Sequence, residues 1–216
     1  MKKTKHTVFE IINLTPGTFI LRIDRNNFEF EAGQYVILRV PGHKEGREYS
    51  IYSGTADNYL DFLIREIPEG HFSGYLRNLA PGSELVVEGP CGFFIPDQRT
   101  MLGTPSVFIA TGTGISPFHS YVKSYPGLNC TVLHGVKYSQ ESYGSEAFIT
   151  GKQIICASQD SNGDFKGRVT GYLEKSGIDK NAVYYLCGNA TMIDEVSTLL
   201  ENSEIKPENI RSEVYF

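Results

Sequence analysis

The chain changes its pattern about halfway along, and that change limits what it can fold into. Up to about residue 95 the apolar residues come in short, β-rich bursts at 8–14, 18–24, 35–40, 49–52, 60–65 and 85–88. Turn-forming pairs separate them: Pro16-Gly17, Asn26-Asn27, Ala32-Gly33, Pro41-Gly42, Asp57-Asn58 and Pro81-Gly82. Six short strands punctuated in this way predict a small antiparallel six-stranded β-barrel, with one helical stretch at 73–79. Beyond about residue 104 strands alternate with helices. Strands are predicted at 106–110, 131–136, 153–157, 182–187 and 210–216, and helices at 117–123, 167–176 and 190–201. That alternation predicts a Rossmann-like α/β unit with a parallel sheet and helices on both faces. The expected domains are therefore 1–98 and 99–216.

Composition narrows the class. At 216 residues with 40% hydrophobic residues, there is enough apolar material for two small cores. A net charge of −5 argues against a nucleic-acid binder. The basic cluster at residues 1–6 reads as a solvated tail. Cys91, Cys130, Cys156 and Cys187 show no CxxC pair, so no iron–sulfur or other metal site is expected, and reduced thiols suit a cytoplasmic protein. No apolar run approaches the length of a membrane span or a secretory signal. The sequence does not indicate an oligomeric state.

In the second half, Gly112-Thr113-Gly114-Ile115-Ser116-Pro117 follows an apolar strand and opens a helix. Glycines let a backbone approach phosphate, a helix N-terminus offers free N–H groups, and Pro117 suits a first helical turn. The third glycine of the usual fingerprint is missing. Ligands of such sheets collect at the carboxyl ends of the strands. Cys187-Gly188-Asn189, followed by Met192, therefore faces the same crevice. The second strand ends at His134-Gly135-Val136-Lys137-Tyr138, with no acid until Glu141. Lys137 and Arg168 either meet the 2′-phosphate of NADP or are solvated surface charges.

In the first half, Arg47 is suited to neutralise a pyrophosphate, Tyr49 to lie against a ring system, and Ser50 to hydrogen-bond a flavin edge. Ser73, in Gly70-His71-Phe72-Ser73, is expected to cap the following helix, which would offer N–H groups to phosphate.

Taken in order, these motifs resemble the ferredoxin–NADP reductase family over nearly the whole chain. Arg47-Glu48-Tyr49-Ser50 looks like the family's Arg-x-Tyr-Ser motif, and Ala32-Gly33-Gln34-Tyr35 like its Pro-Gly-Gln-aromatic element. Gly70–Ser73 is similar to its pyrophosphate turn, Gly112–Pro117 to its NADP loop, and Cys187-Gly188 with Met192 to its nicotinamide motif. Glu213-Val214-Tyr215-Phe216 resembles its acidic-aromatic C-terminus. The resemblance implies FAD held by Arg47, Tyr49, Ser50, Ile64, Gly70, Phe72, Ser73, Thr113, Tyr215 and Phe216. It implies NADP(H) held by Gly112, Thr113, Gly114, Pro117, Lys137, Arg168, Cys187, Gly188 and Met192. Ser50, Cys187, Glu213 and Tyr215 would surround the place where nicotinamide C4 meets flavin N5, with Tyr215 or Phe216 covering one flavin face.

The implied reaction is hydride transfer from NADPH to FAD, then single electrons to ferredoxin or flavodoxin. Arg22, Arg25, Lys44 and Arg65 are candidates for the docking face. The alternatives are an NADH-linked flavin reductase or reductase component of an oxygenase system, an electron-transfer subunit of a larger complex, and a flavin- or nucleotide-binding sensor.

Overall fold

The computed structural model describes residues 2–43, 45–68, 71–148 and 152–215. Its chain forms two compact units, Met1–Ile95 with His119–Ser124, and Pro96–Phe118 with Tyr125–Phe216.

The first unit is an antiparallel barrel of β1 (Lys2–Thr15), β2 (Thr18–Asp24), β3 (Tyr35–Arg39), β4 (Gly46–Ser50), β5 (Tyr59–Arg65) and β6 (Glu84–Cys91), with helix α1 (His71–Arg77) between β5 and β6. The strand order is β4-β3-β6-β1-β2-β5. The chain just past β4 closes the circle: Tyr52 N–H donates to the Asp61 carbonyl at 2.8 Å, and Asp61 N–H donates to Ser53 Oγ at 3.1 Å. Alternation decides which side chains face inward. Phe19, Leu21, Ile23, Val36, Leu38, Ile51, Leu60, Phe62, Leu85 and Val87 form the core, each contributing roughly 1.5–3 kcal/mol of burial.

Residues 2–6 are not a tail. Lys2–Thr7 pairs with β6, and Val8–Thr15 pairs with β2. The lysines find acids across the strand pair, Lys5 with Glu84 at 3.3 Å and Lys3 with Glu88 at 3.5 Å, while His6 is buried. The chain entering β3 needs a glycine at position 33. Gly33 has φ 96°, and a Cβ there would overlap the Phe94 carbonyl and the Tyr121 ring.

The second unit is an all-parallel sheet of β7 (Ser106–Thr111), β8 (Cys130–Val136), β9 (Lys152–Ala157), β10 (Phe165–Lys166), β11 (Val183–Gly188) and β12 (Ile210–Val214), in the order β10-β9-β8-β7-β11-β12. Its helices are α2 (Gln98–Met101), α3 (Ser116–Ser124, whose first residues belong to this unit), α4 (Val169–Ser176) and α5 (Ala190–Asn202). α2 and β10 are too short to carry a periodic signal. From β7 the chain runs outward to β8, β9 and β10, and β11 returns on the other side. The carboxyl end of β7 is therefore the switch point at which such sheets bind ligands. The core on one face joins Ile109, Leu133, Ile154, Leu173, Tyr184, Leu186, Ile193, Val196 and Leu200. Phe108 stacks on Phe118, with ring centroids 5.0 Å apart. Among the described residues no helix is long and apolar enough to cross a membrane.

Candidate active site

In the barrel unit, β4 carries Arg47, Tyr49 and Ser50. The Arg47 guanidinium is more than half exposed, and its partner Glu45, at 2.8 Å, is more exposed still. So weak a surface pair leaves the charge free to exchange for a pyrophosphate. Tyr49 is half-buried and its hydroxyl is pushed up to about 12, chiefly by burial and against the pull of Arg47. It stays a neutral ring at physiological pH.

Ser50 is buried. The strand end beyond it is pinned by residues that carried no signal in the sequence. The His119 ring stacks on Tyr52 at 3.6 Å and its Nδ1 lies 2.6 Å from the Tyr52 carbonyl. Ser120 Oγ donates to the Ser53 carbonyl at 2.7 Å.

Several expectations for this unit need correction. Helix α1 begins at His71, so Ser73 lies within its first turn rather than capping it, and Ser73 Oγ accepts Ile67 N–H at 3.0 Å. The Phe72 and Ile64 side chains are in the barrel core, leaving only their main chain to a ligand. Arg22 and Arg25 are spent internally. Arg22 grips Asp61 with two bonds of 2.8 and 2.9 Å, and Arg25 donates to the carbonyls of Phe28 and Asp57. Arg65 is exposed. Gly70, Phe216 and Lys44 lie outside the described residues.

In the sheet unit, the loop after β7 is a 3-10 turn, Gly112–Ile115, leading into α3. Pro117 is the second residue of that helix, where its missing N–H costs nothing. Gly112 has φ 53° and open space where a Cβ would stand. The Thr113 carbonyl accepts Ser116 Oγ at 2.7 Å. Gly114 is different: its Cβ would overlap the carbonyl of Cys187, so the loop and the end of β11 touch backbone to backbone. A Cβ on Gly188, at φ 144°, would overlap Thr111 Oγ1.

Thr111 and Asn189 complete the arrangement. Asn189 N–H and Nδ2 reach Thr111 Oγ1 at 3.1 and 3.2 Å, and Asn189 Oδ1 caps α5 by accepting Met192 N–H at 2.9 Å. Beneath the loop, His134 is fully buried and its Nε2 lies 2.8 Å from the Gly112 carbonyl. Burial pushes this imidazole down to about 4, so it is neutral, with the proton on Nε2. The tight turn, the open side at Gly112 and the convergence of three strand ends fit a dinucleotide pyrophosphate.

Cys187 is fully buried. Burial and the neighbouring Glu213 carboxylate hold its thiol well above the usual range, while the Tyr215 side chain pulls the other way. Tyr215 N–H donates to the Gly188 carbonyl at 2.8 Å. The Met192 side chain belongs to the core beneath α5. The Arg168 side chain is exposed and lies 3.4 Å from Glu195. The end of β8 does carry acid, because Glu141 folds back to accept the N–H groups of Lys137 at 3.0 Å and Tyr138 at 3.3 Å.

Comparison with known proteins agrees with both units. The model of the oxidoreductase FAD-binding domain matches residues 8–95, and that of the oxidoreductase NAD-binding domain matches residues 108–198. The chain is 30% identical to the 2-halobenzoate 1,2-dioxygenase electron transfer component of Burkholderia cepacia, over 91% of this chain and 62% of that one. It is 32% identical to the toluate 1,2-dioxygenase electron transfer component of Pseudomonas putida, over 96% of this chain and 66% of that one. The chain thus spans less than two thirds of the length of these relatives. A ferredoxin NADP+ reductase structure from Neisseria gonorrhoeae shares the fold, with a TM-score of 0.87, 19% identity and full coverage of both chains. Fold and site define a flavoprotein oxidoreductase with one unit for FAD and one for a nicotinamide dinucleotide. The chain belongs to the ferredoxin–NADP reductase family.

Proposed function

We propose that this chain takes hydride from a reduced nicotinamide dinucleotide onto FAD and delivers single electrons to an iron–sulfur protein or flavodoxin. The observation that carries this reading is the backbone contact of Gly114 with Cys187, which joins a phosphate-binding turn to a nicotinamide-type strand end inside the NAD-binding match. The chemistry FAD supplies when bound is hydride acceptance and one-electron release.

The protein's part is to hold and orient. Arg47 balances the flavin pyrophosphate, Tyr49 lies against the isoalloxazine and Ser50 bonds its edge. The turn at residues 112–114 receives the dinucleotide pyrophosphate. Cys187, kept as a neutral thiol, and Glu213 line the nicotinamide seat without acting as nucleophiles. Tyr215, held through its N–H at the end of β11, has to leave for the nicotinamide to enter.

The printed names of the relatives favour one form of this reading, a reductase component that supplies electrons to an oxygenase. The test is anaerobic bleaching of protein-bound flavin by each reduced dinucleotide, followed by transfer to a [2Fe–2S] ferredoxin, a flavodoxin or free flavin. Bleaching by neither dinucleotide would leave a binding protein. Bleaching with transfer only to free flavin would make it a flavin reductase.

A further inference from the structure

His134 stands near the end of β8, under the turn that follows β7. It is fully buried, and its Nε2 lies 2.8 Å from the Gly112 carbonyl. A carbonyl only accepts, so Nε2 carries the proton and donates it. The other ring nitrogen, Nδ1, has no hydrogen-bond partner among the described residues. The Tyr143 ring lies nearby, with centroids 6.3 Å apart. A leucine or phenylalanine would fill this place without burying an unsatisfied nitrogen, so packing does not account for a histidine here. The bond to Gly112 does.

That bond orients a peptide. Gly112 and Thr113 are joined by a trans peptide, whose C=O and N–H point in opposite directions. With the carbonyl drawn down to a buried ring, the Thr113 N–H faces the partly exposed side of the turn, where Gly112 has open space. An N–H in the first turn of a helix has no intrahelical acceptor and is free to meet an anion. Gly112, at φ 53°, has a glycine's freedom to turn the peptide over. Turned over, the peptide would present a carbonyl lone pair to the phosphate instead of a donor.

We infer that His134 is a positioning residue of the dinucleotide site, holding the Gly112 carbonyl inward so that the Thr113 N–H stays aimed at the pyrophosphate. The ring itself does not touch the ligand. The inference rests on the reading of this turn as a phosphate seat and deepens it. The donor is set from beneath, by a side chain 22 residues away in sequence.

The test uses the FAD-loaded protein and adenosine diphosphate ribose, which carries the pyrophosphate but no nicotinamide. Calorimetry compares the wild type with two variants. His134→Gln keeps an N–H donor at the place of Nε2, and His134→Met fills the space without one. Binding should weaken about tenfold in the methionine variant and stay within about threefold of wild type in the glutamine variant, as expected for one hydrogen bond serving a charged ligand. In anaerobic flavin reduction the methionine variant should show a raised KM for the dinucleotide, with the limiting rate within about twofold of wild type. Wild-type affinity in the methionine variant, or an equal loss in both variants, would overturn the inference.

Nitrogen-15 spectra of the wild type need no substitution. They should show His134 protonated at Nε2 at neutral pH, and the Thr113 amide shifting when adenosine diphosphate ribose is added. An Nδ1–H ring or an unmoved Thr113 amide overturns the inference, even where the methionine variant fails to fold. If neither dinucleotide reduces the flavin while adenosine diphosphate ribose still binds, the hydride-transfer reading fails, and the two variants still decide the role of His134. No binding of adenosine diphosphate ribose at all would overturn both.

Discussion

Gly114 lies so close to Cys187 that a single methyl group on its Cα would overlap the Cys187 carbonyl oxygen. Two motifs more than seventy residues apart in sequence are thereby held at a fixed separation by bare backbone. Gly114→Ala has to push the turn away from β11. We expect it to lower the rate of flavin reduction by the dinucleotide at least tenfold, with FAD content unchanged. Stopped-flow absorbance of the anaerobic protein measures both.

The buried His134 predicts an acid-sensitive sheet unit. Its imidazole lies near 4 in the folded chain against 6.5 for an ordinary histidine. The unfolded chain gains a proton as pH falls, while the folded one stays neutral. The stabilisation is therefore complete above pH 6.5 and is lost as pH falls towards 4, by about 2 kcal/mol between pH 7 and pH 5. Urea denaturation at these two pH values should show that much extra acid lability in the wild type relative to His134→Gln. Equal pH slopes in the two proteins would contradict it.

Asn189 serves α5 and Thr111 together. Asn189→Ala removes a helix cap, a loss of about 1 kcal/mol. It also frees Thr111 Oγ1 at the loop, so weaker dinucleotide binding should accompany the lower urea midpoint. A stability loss with unaltered binding would confine Asn189 to capping.

Arg22 is tied into the barrel. Asp61 is 4% exposed and depends on Arg22 for its compensating charge. Arg22→Met should destabilise the protein by about 3 kcal/mol, and Arg22→Met with Asp61→Leu should recover most of it. Electron delivery to a carrier should be unchanged in the double variant.

Tyr215 predicts a gate. Its N–H is held by the Gly188 carbonyl at the end of β11 and its side chain acts on the Cys187 thiol, so entry of a nicotinamide has to displace it. A chain ending at Val214 should bind oxidised dinucleotide several times more tightly, and its hydride-transfer rate should change. Fluorescence titration and rapid mixing would reveal either effect, and unchanged values would remove the gate.

What the sequence could reveal followed the range of each signal. Strand alternation and turn pairs are local, so the barrel and the alternating sheet unit were legible from residue patterns alone. The phosphate loop was legible because Gly112 and Gly114 stand directly after an apolar strand. Glu141 is four residues past Lys137 in sequence yet returns to bond its N–H in space, which no local pattern announces. The lysines of β1 looked like a solvated tail because Glu84 and Glu88, their partners, lie some eighty residues away. His119 and His134 act through carbonyls of distant segments, and no spacing announces that. Ile64, Phe72 and Met192 carried over from family motifs as ligands, although their side chains supply core volume.

The first rung of β1 has a consequence for how the protein behaves in company. Among the described residues, Lys2–Thr7 is the sole cover on one long side of β6, whose other side is taken by β3. Clipping the chain after Thr7 would bare a row of N–H and C=O groups along Glu84–Val87 while leaving most of the barrel core intact. Such an open edge is a template for another chain. Loss of this one segment would therefore show itself first as clumping, before any loss of flavin.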